Sequence, residues 1–514
     1  MDSNCSVCTS NYLRGSIKKR LIVCCDGTFS GVDKGDDQYS SNVARLSRTI
    51  SKVGITPEGE KIPQVVYYQA GVGTGSLTVI NKTRQGAVGE SLAEKVCEAY
   101  NYLANNWGPD DEIFIFGFSR GAYTARSLAG FICEVGLLTP LMLDHFFEIY
   151  QAYRNRGDKR LEETDWAKTP LTAGELGTVP PRNGAPKHNF GTSIDVLRRS
   201  VHRHVTIKVV GVWDTVGSLG ATNWFGQAGA DRYFHSTKLS PKIENAFHAL
   251  AVDETRGNFP PTLWYLDSSC VDENSKPKVN LKQCWFPGYH SDVGGHSKGS
   301  IDTNSVDEIA FAWMCDQLFG LLQLSGTALQ KYILFRIGDL DFDTNNKNIR
   351  DLKAAWSTIK WSDGVLDDTN GWTDWWWFPS LLSTASASYK RIPGETPASE
   401  ILNGKKKDID YKWFNEEVHP SVSHRMLTAK NPTYMPAGLH EKSGWNYVNA
   451  TGDRRAHWVK KRSNGKEICL NEYIIPKMSE PFQSGSGYDF WQGSLERTFA
   501  PKEVLTAQDA GAQE

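Results

Sequence analysis

No apolar run in the 514 residues approaches the roughly 20 needed to cross a bilayer as a helix. The first twenty residues contain no apolar signal core, and Lys18-Lys19-Arg20 stands just before the first apolar run. An intracellular, cytoplasmic protein is therefore expected. An excess of one charge is also missing. With 57 basic and 59 acidic residues the formal net charge is -2, which makes no case for nucleic acid as a partner. The 10 cysteines are scattered, and Cys24, Cys97, Cys133 and Cys315 fall in apolar patterns that suit buried thiols. Cys5 and Cys8 form a C-x-x-C pair in a polar tail with no second ligand pair nearby, too little for a zinc or redox site. Gly71-Val72-Gly73-Thr74-Gly75 lacks the Gly-Lys-Ser/Thr ending of a phosphate loop. No internal repeat, cofactor site or metal site is expected.

Alternation is what the chain does have. Residues 21–25, 65–68 and 113–116 read as buried strands, with helical spacing at Val43, Leu46 and Ile50, then at Leu92, Val96, Ala99 and Leu103. Such a rhythm predicts an α/β fold with a mostly parallel central sheet flanked by helices. Further strands are expected at 206–213, 262–266 and 281–286, then a helix with Ile309, Trp313, Leu318 and Leu321 on one apolar side. A long loop rich in charge, Pro and Gly fills 155–195. The expected organisation is a flexible tail at 1–17 and an α/β core at 18–340. A cap or lid with a closing helical segment follows at 341–435, a small β-rich appendage at 436–505 and a disordered tail at 506–514. The lid segment holds Trp356, Trp361, Trp372, Trp375, Trp376 and Trp377. Indole rings suit a packed cap core, an apolar pocket wall or transient contact with a membrane surface.

Gly117-Phe118-Ser119-Arg120-Gly121 follows the strand at 113–116 and precedes a helical pattern. Strand, G-x-S-x-G turn and helix together form the nucleophile elbow of α/β-hydrolases, which lifts a serine hydroxyl above the sheet. Gly295-His296-Ser297-Lys298-Gly299 fits the same pattern without a strand running into it or a helix directly after it, which argues against Ser297. A serine needs a base, an orienting acid and an oxyanion site. Asp214 ends the apolar run 209–213 and has the right place in chain order for the acid. His290, in a Gly-containing loop after the strand at 281–286, is the candidate base; His248, on a segment that reads as helix, and His419 are rivals, and Asp292 is a rival acid. Oxyanion donors are expected from the amide of Arg120 and from Gly27 or Thr28. Asp26, Gly71, Trp375 and Trp376 are candidates for the substrate pocket.

Jointly and in order, these segments resemble the α/β-hydrolase family typified by the phospholipase effectors of bacterial type VI secretion. The resemblance rests on Cys25-Asp26-Gly27-Thr28, Gly117 to Ala122, Val212-Trp213-Asp214-Thr215-Val216 and the stretch from Trp285 to Gly295, with His248 to Arg256 and His419-Pro420-Ser421-Val422 as further segments. It implies a Ser119–Asp214–His290 triad and cleavage of ester bonds, with phospholipids as precedent. The chain departs from the family at His296-Ser297, where a third glycine and an aromatic are usual.

Other readings compete. Asp26-Gly27-Thr28 is similar to the haloacid dehalogenase signature, but its nucleophilic aspartate would fall on Cys24. A metal held by His290, Asp292 and His296 would disable the triad. An acyltransferase or thioesterase acting on a small metabolite would use the same three residues, and a silent scaffold could keep the fold. The expected function is a serine ester hydrolase of the lipase, phospholipase or esterase kind, acting on a lipid or a small ester.

Overall fold

The computed structural model describes residues 17–27, 40–71, 88–157, 159–170, 191–216, 237–256, 259–295, 306–336, 361–364, 366, 391–396, 399–402, 405–408, 410–428, 434–451, 454–462, 465–478 and 489–511. Its strands are β1 (Arg20–Cys25), β2 (Val53–Ile55), β3 (Lys61–Gln69), β4 (Glu112–Phe118), β5 (Leu137–Leu138), β6 (Val201–His202), β7 (Ile207–Trp213) and β8 (Ile243–Ala251). They continue with β9 (Asn280–Phe286), β10 (Ser399–Leu402), β11 (Lys405–Asp408), β12 (Glu416–Val418), β13 (Trp445–Val448), β14 (His457–Lys461) and β15 (Glu467–Asn471).

Eight of them form one sheet in the order β12-β9-β8-β7-β4-β1-β3-β2. Every pairing is parallel except β2 with β3 at the edge. The central strands are continuous apolar runs because both faces are covered. In β1, Leu21, Val23 and Cys25 join one apolar cluster while Ile22 and Cys24 join the opposite one. Helices α1 (Asn42–Thr49), α2 (Val88–Asn106), α3 (Arg120–Val135) and α4 (Asp307–Gln317) supply those two layers. The expected mixed α/β architecture with a mostly parallel sheet is present.

Several expectations need correction. The segment expected as helix around His248 is strand β8, held between two parallel neighbours. Residues 262–266 carry only an isolated bridge at Tyr265, not a strand. Helix α4 is buried over nearly its whole length: beyond its apolar side, Asp316 accepts from the Leu495 amide at 2.7 Å and Gln317 donates to the Tyr473 hydroxyl at 2.9 Å. The central sheet takes its edge strand β12 from 416–418, inside the stretch expected to be a cap. The appendage holds the antiparallel sheet β13-β14-β15, whose Trp445, Trp458, Ile468 and Leu470 pack with Leu250, Trp285 and Val418 of the central sheet. The tail expected to be disordered carries the helix Lys502–Gly511. Arg497 pairs with Asp509 at 2.7 Å and Gln508 donates to the Tyr473 carbonyl at 2.8 Å, which ties this helix down. Of the tryptophan-rich stretch, Trp361 is buried against His419 and His424; Trp356, Trp372, Trp375, Trp376 and Trp377 lie outside the described residues. Among the described residues no helix is long and apolar enough to cross a membrane.

Candidate active site

Parallel register gathers the site at the carboxyl ends of neighbouring strands. Cys25 is opposite Gly117, Phe118 opposite Trp213, and Ala251 opposite Phe286. Asp26, Ser119, Asp214 and the loop leading to His290 therefore leave the sheet on the same side.

Ser119 stands between β4 and α3 with φ 57° and ψ -122°, a conformation that a residue with a Cβ adopts only under constraint. Its amide donates to the Trp213 carbonyl at 3.2 Å, which fixes the turn on the next strand. Gly121 lies so close to β1 that a Cβ there would run into the carbonyls of Cys25 and Asp26. The spacing of the G-x-S-x-G motif thus has a steric cause.

His290 opens the short helix His290–Gly294 after β9. Its Nε2 is 2.8 Å from Ser119 Oγ and its Nδ1 is 2.6 Å from Asp214 Oδ2. When Nδ1–H donates to the carboxylate, Nε2 keeps a lone pair to accept the serine proton. All three residues are buried, Asp214 completely. The His290 ring packs between Phe118 and Phe259, with centroids 4.8 and 5.0 Å away. Burial pulls the His290 pKa down, against the hydrogen bond and charge of Asp214, and the net shift is downward. For Asp214 burial acts upward, but the Arg391 charge and the hydrogen bonds of His290 and Arg391 outweigh it and hold the carboxyl far below its usual range.

The loop carrying His290 is pinned by two acids that sequence reasoning gave no role. Asp253 accepts from the Gly288 amide at 2.6 Å, and Glu254 accepts from the His290 amide at 3.2 Å. Glu254 is paired with Arg256, whose guanidinium lies 3.8 Å over the Phe259 ring. Both acids fall within the segment His248 to Arg256, where the family resemblance was the only pointer. Arg391 was missed altogether: it follows Lys390 in a Pro- and Gly-containing stretch with no motif around it, and its partner shows only in three dimensions. Asp292 accepts from the Tyr289 amide at 2.8 Å and shapes the loop, as a rival acid it is not in the relay.

The rival histidines are not part of this chain of hydrogen bonds. His248 Nε2 accepts from the Thr215 amide at 3.1 Å, and burial pushes its pKa down to about 3. His419 caps the helix Pro420–Leu427, meets Ser421 Oγ at 2.7 Å and Glu496 at 2.9 Å, and is likewise pushed down to about 3 by burial.

The expected oxyanion and pocket residues divide. Arg120 is the first residue of α3, so its amide has no intrahelical acceptor. Gly27 must be corrected: its amide donates to Asp26 Oδ1 at 2.7 Å and is not directed at a substrate oxygen. What Gly27 contributes is space, since a Cβ there would lie 2.9 Å from the Phe118 ring and 3.3 Å from Ser119 Cβ. Asp26 is corrected too. Its carboxylate is engaged by Gly27, by the Ser41 hydroxyl at 2.7 Å and by the Tyr68 hydroxyl at 2.6 Å, so among the described residues its part is to organise the loop. Burial nonetheless raises its pKa, with those three bonds opposing. Gly71 is buried two residues after the end of β3. Thr28, Ser297, His296, Trp375 and Trp376 lie outside the described residues.

A family model described as the T6SS phospholipase effector Tle1-like catalytic domain matches residues 19–317. The uncharacterized protein YEL023C of Saccharomyces cerevisiae is 28% identical over 255 residues, 47% of this chain and 32% of the yeast protein. The match thus spans about a third of that relative's length. Among solved structures, an uncharacterized protein from Pseudomonas aeruginosa aligns with a TM-score of 0.29 and 16% identity, covering 66% of this chain and 53% of that one. The Tle1 effector bound to the VgrG spike of the type 6 secretion system aligns with a TM-score of 0.26 and 18% identity, covering 55% of this chain and 51% of that one.

Proposed function

The chain belongs to the Tle1-like phospholipase effector catalytic-domain family, and from that premise we propose that it is a serine hydrolase cleaving carboxylic esters of a lipid. The observation that carries this reading is the buried chain of hydrogen bonds from Ser119 Oγ through His290 to Asp214, at 2.8 and 2.6 Å.

Ser119 Oγ attacks the ester carbonyl carbon while His290 Nε2 takes its proton. Asp214 holds the imidazole in the productive tautomer and stabilises the imidazolium. The developing oxyanion is met by the amide of Arg120, and the second donor is assigned to Thr28 by its place after β1. His290 then returns the proton to the departing alcohol oxygen, leaving Ser119 acylated. A water deprotonated by His290 attacks the acyl carbon, the acid is released and Ser119 regains its proton.

Two measurements test this together: labelling by a fluorophosphonate probe, and fatty-acid release from phosphatidylethanolamine and phosphatidylcholine vesicles. The wild-type chain labels and releases fatty acid; Ser119→Ala does neither, and Ser297→Ala does both. Labelling lost in Ser297→Ala but kept in Ser119→Ala rejects the assigned nucleophile. A folded wild-type chain inert in both assays points to a scaffold.

A further inference from the structure

Arg391 lies well beyond residue 317, where the family match ends. It is 1% exposed, and its guanidinium meets both oxygens of the carboxylate that orients His290. Nη1 donates to Asp214 Oδ1 at 2.5 Å and Nη2 donates to Asp214 Oδ2 at 2.9 Å. The same two nitrogens also donate to the carbonyls of Ala251 at 2.7 Å and Phe259 at 3.0 Å. A planar fork of this kind fixes the carboxylate plane as well as its position. With the Ala251 amide donating to Oδ1 at 3.0 Å, both oxygens of Asp214 are held by donors besides His290.

The residues that follow Arg391 are tied down by β12 and by the C-terminal sheet. Gly394 donates to Glu416 of β12 at 2.9 Å. Glu395 pairs with Lys460 of β14 at 2.5 Å, and Arg462, just after β14, donates to the Gly394 carbonyl at 3.4 Å. Gly394 backs onto Ile468 and Leu470 of β15. We propose that Arg391 is a positioning residue of the Ser119–His290–Asp214 relay and that the sheet β13-β14-β15 is the clamp that seats it, so that a segment outside the family-matched region completes the site. This rests on the reading of that relay as the hydrolytic machinery.

The alternative is a plain staple between core and appendage. The two differ in how the relay responds to pH. His290 is faced by Asp214, Glu254 and Arg256; Asp214 is faced by His290, Arg391 and the neutral His248. Arg391 offsets the Asp214 charge that would stabilise an imidazolium. Its removal strengthens the imidazolium, so the acid limb of reactivity moves to higher pH. A staple moves only the folded fraction.

The test is the pH dependence of fluorophosphonate labelling of Ser119 in the full chain, with circular dichroism reporting the fold. Arg391→Met slows plateau labelling by about 10–100-fold, the loss usual when an outer partner that orients a site group is removed, and shifts its acid limb upward. Arg391→Lys keeps the charge without the fork; it labels at an intermediate rate with a limb close to wild type. The double variant Glu395→Gln/Lys460→Met loosens the seat and slows labelling while Arg391 itself stays. A folded Arg391→Met that labels at the wild-type rate, or whose limb does not move, overturns the proposal. If Arg391→Met does not fold, wild-type rates in both Arg391→Lys and the double variant overturn it. A wild-type chain that does not label sinks the hydrolase reading itself, whereas a labelled wild type indifferent to Arg391 sinks only this proposal.

Discussion

His290 sits in an apolar bracket formed by Phe118 and Phe259, and this sets its basicity. Taking an imidazolium out of water is costly, so burial favours the neutral ring; Asp214 opposes, and Arg256 adds to the downward pull. The working form of a general base is the neutral ring. Its reactivity therefore rises with pH through a midpoint below the ordinary value of 6.5. A pH series of fluorophosphonate labelling of the wild-type chain checks this, and a midpoint above about 7 contradicts it. Ser119, Asp214 and His290 were all legible, because each stands at an apolar strand's end in an order that has a chemical meaning. The amide of Gly27 was not. Whether an N–H points at a substrate or back at its own neighbour depends on dihedral angles, and the Asp26 carboxylate turned it inward.

The turn from β4 into α3 works because the helix begins against the backbone of β1. At Gly121 a methyl group would meet the carbonyls of Cys25 and Asp26, which the β1 ladder prevents from yielding. Gly121→Ala is expected to destabilise the chain by about 1–3 kcal/mol, the usual range for overpacking a tight interior. Denaturant unfolding monitored by tryptophan fluorescence measures it, and an unchanged midpoint would mean that the turn has room to relax. Strands β1, β4 and β7 could be read from the chain because strands buried on both faces are unbroken apolar runs. β8 could not. Its sequence Ile-Glu-Asn-Ala-Phe-His-Ala-Leu-Ala favours helix locally, and pairing on both sides with β7 and β9 overrode that preference.

The two outer layers of the sheet are closed by parts of the chain far in sequence from Ser119, Asp214 and His290. Trp285 of β9 donates through its indole N–H to Glu416 of β12 at 2.8 Å, and Trp445 and Trp458 of the C-terminal sheet pack in the same cluster. On the other face, Asp316 of α4 accepts from the Ser494 hydroxyl and from the Leu495 amide at 2.7 Å. A fragment ending at residue 317 would expose all of these surfaces at once. It is expected to be expanded or aggregated by gel filtration and to bind a hydrophobic dye, and a monomeric fragment with a cooperative thermal transition would refute this. Apolar periodicity and the order of the motifs were enough to determine the parallel sheet, the elbow serine and the two residues aligned with it, since these follow from neighbours along the chain and from the rule that strand ends share one edge. Only the tertiary structure decided that a cation at position 391 faces the acid at 214, that residues 416–418 extend the sheet, and that the C-terminal strands pack into the core. Those contacts join segments with no local pattern in common, and the free energy of burying charge against charge and indole against strand appears only once the chain has closed on itself.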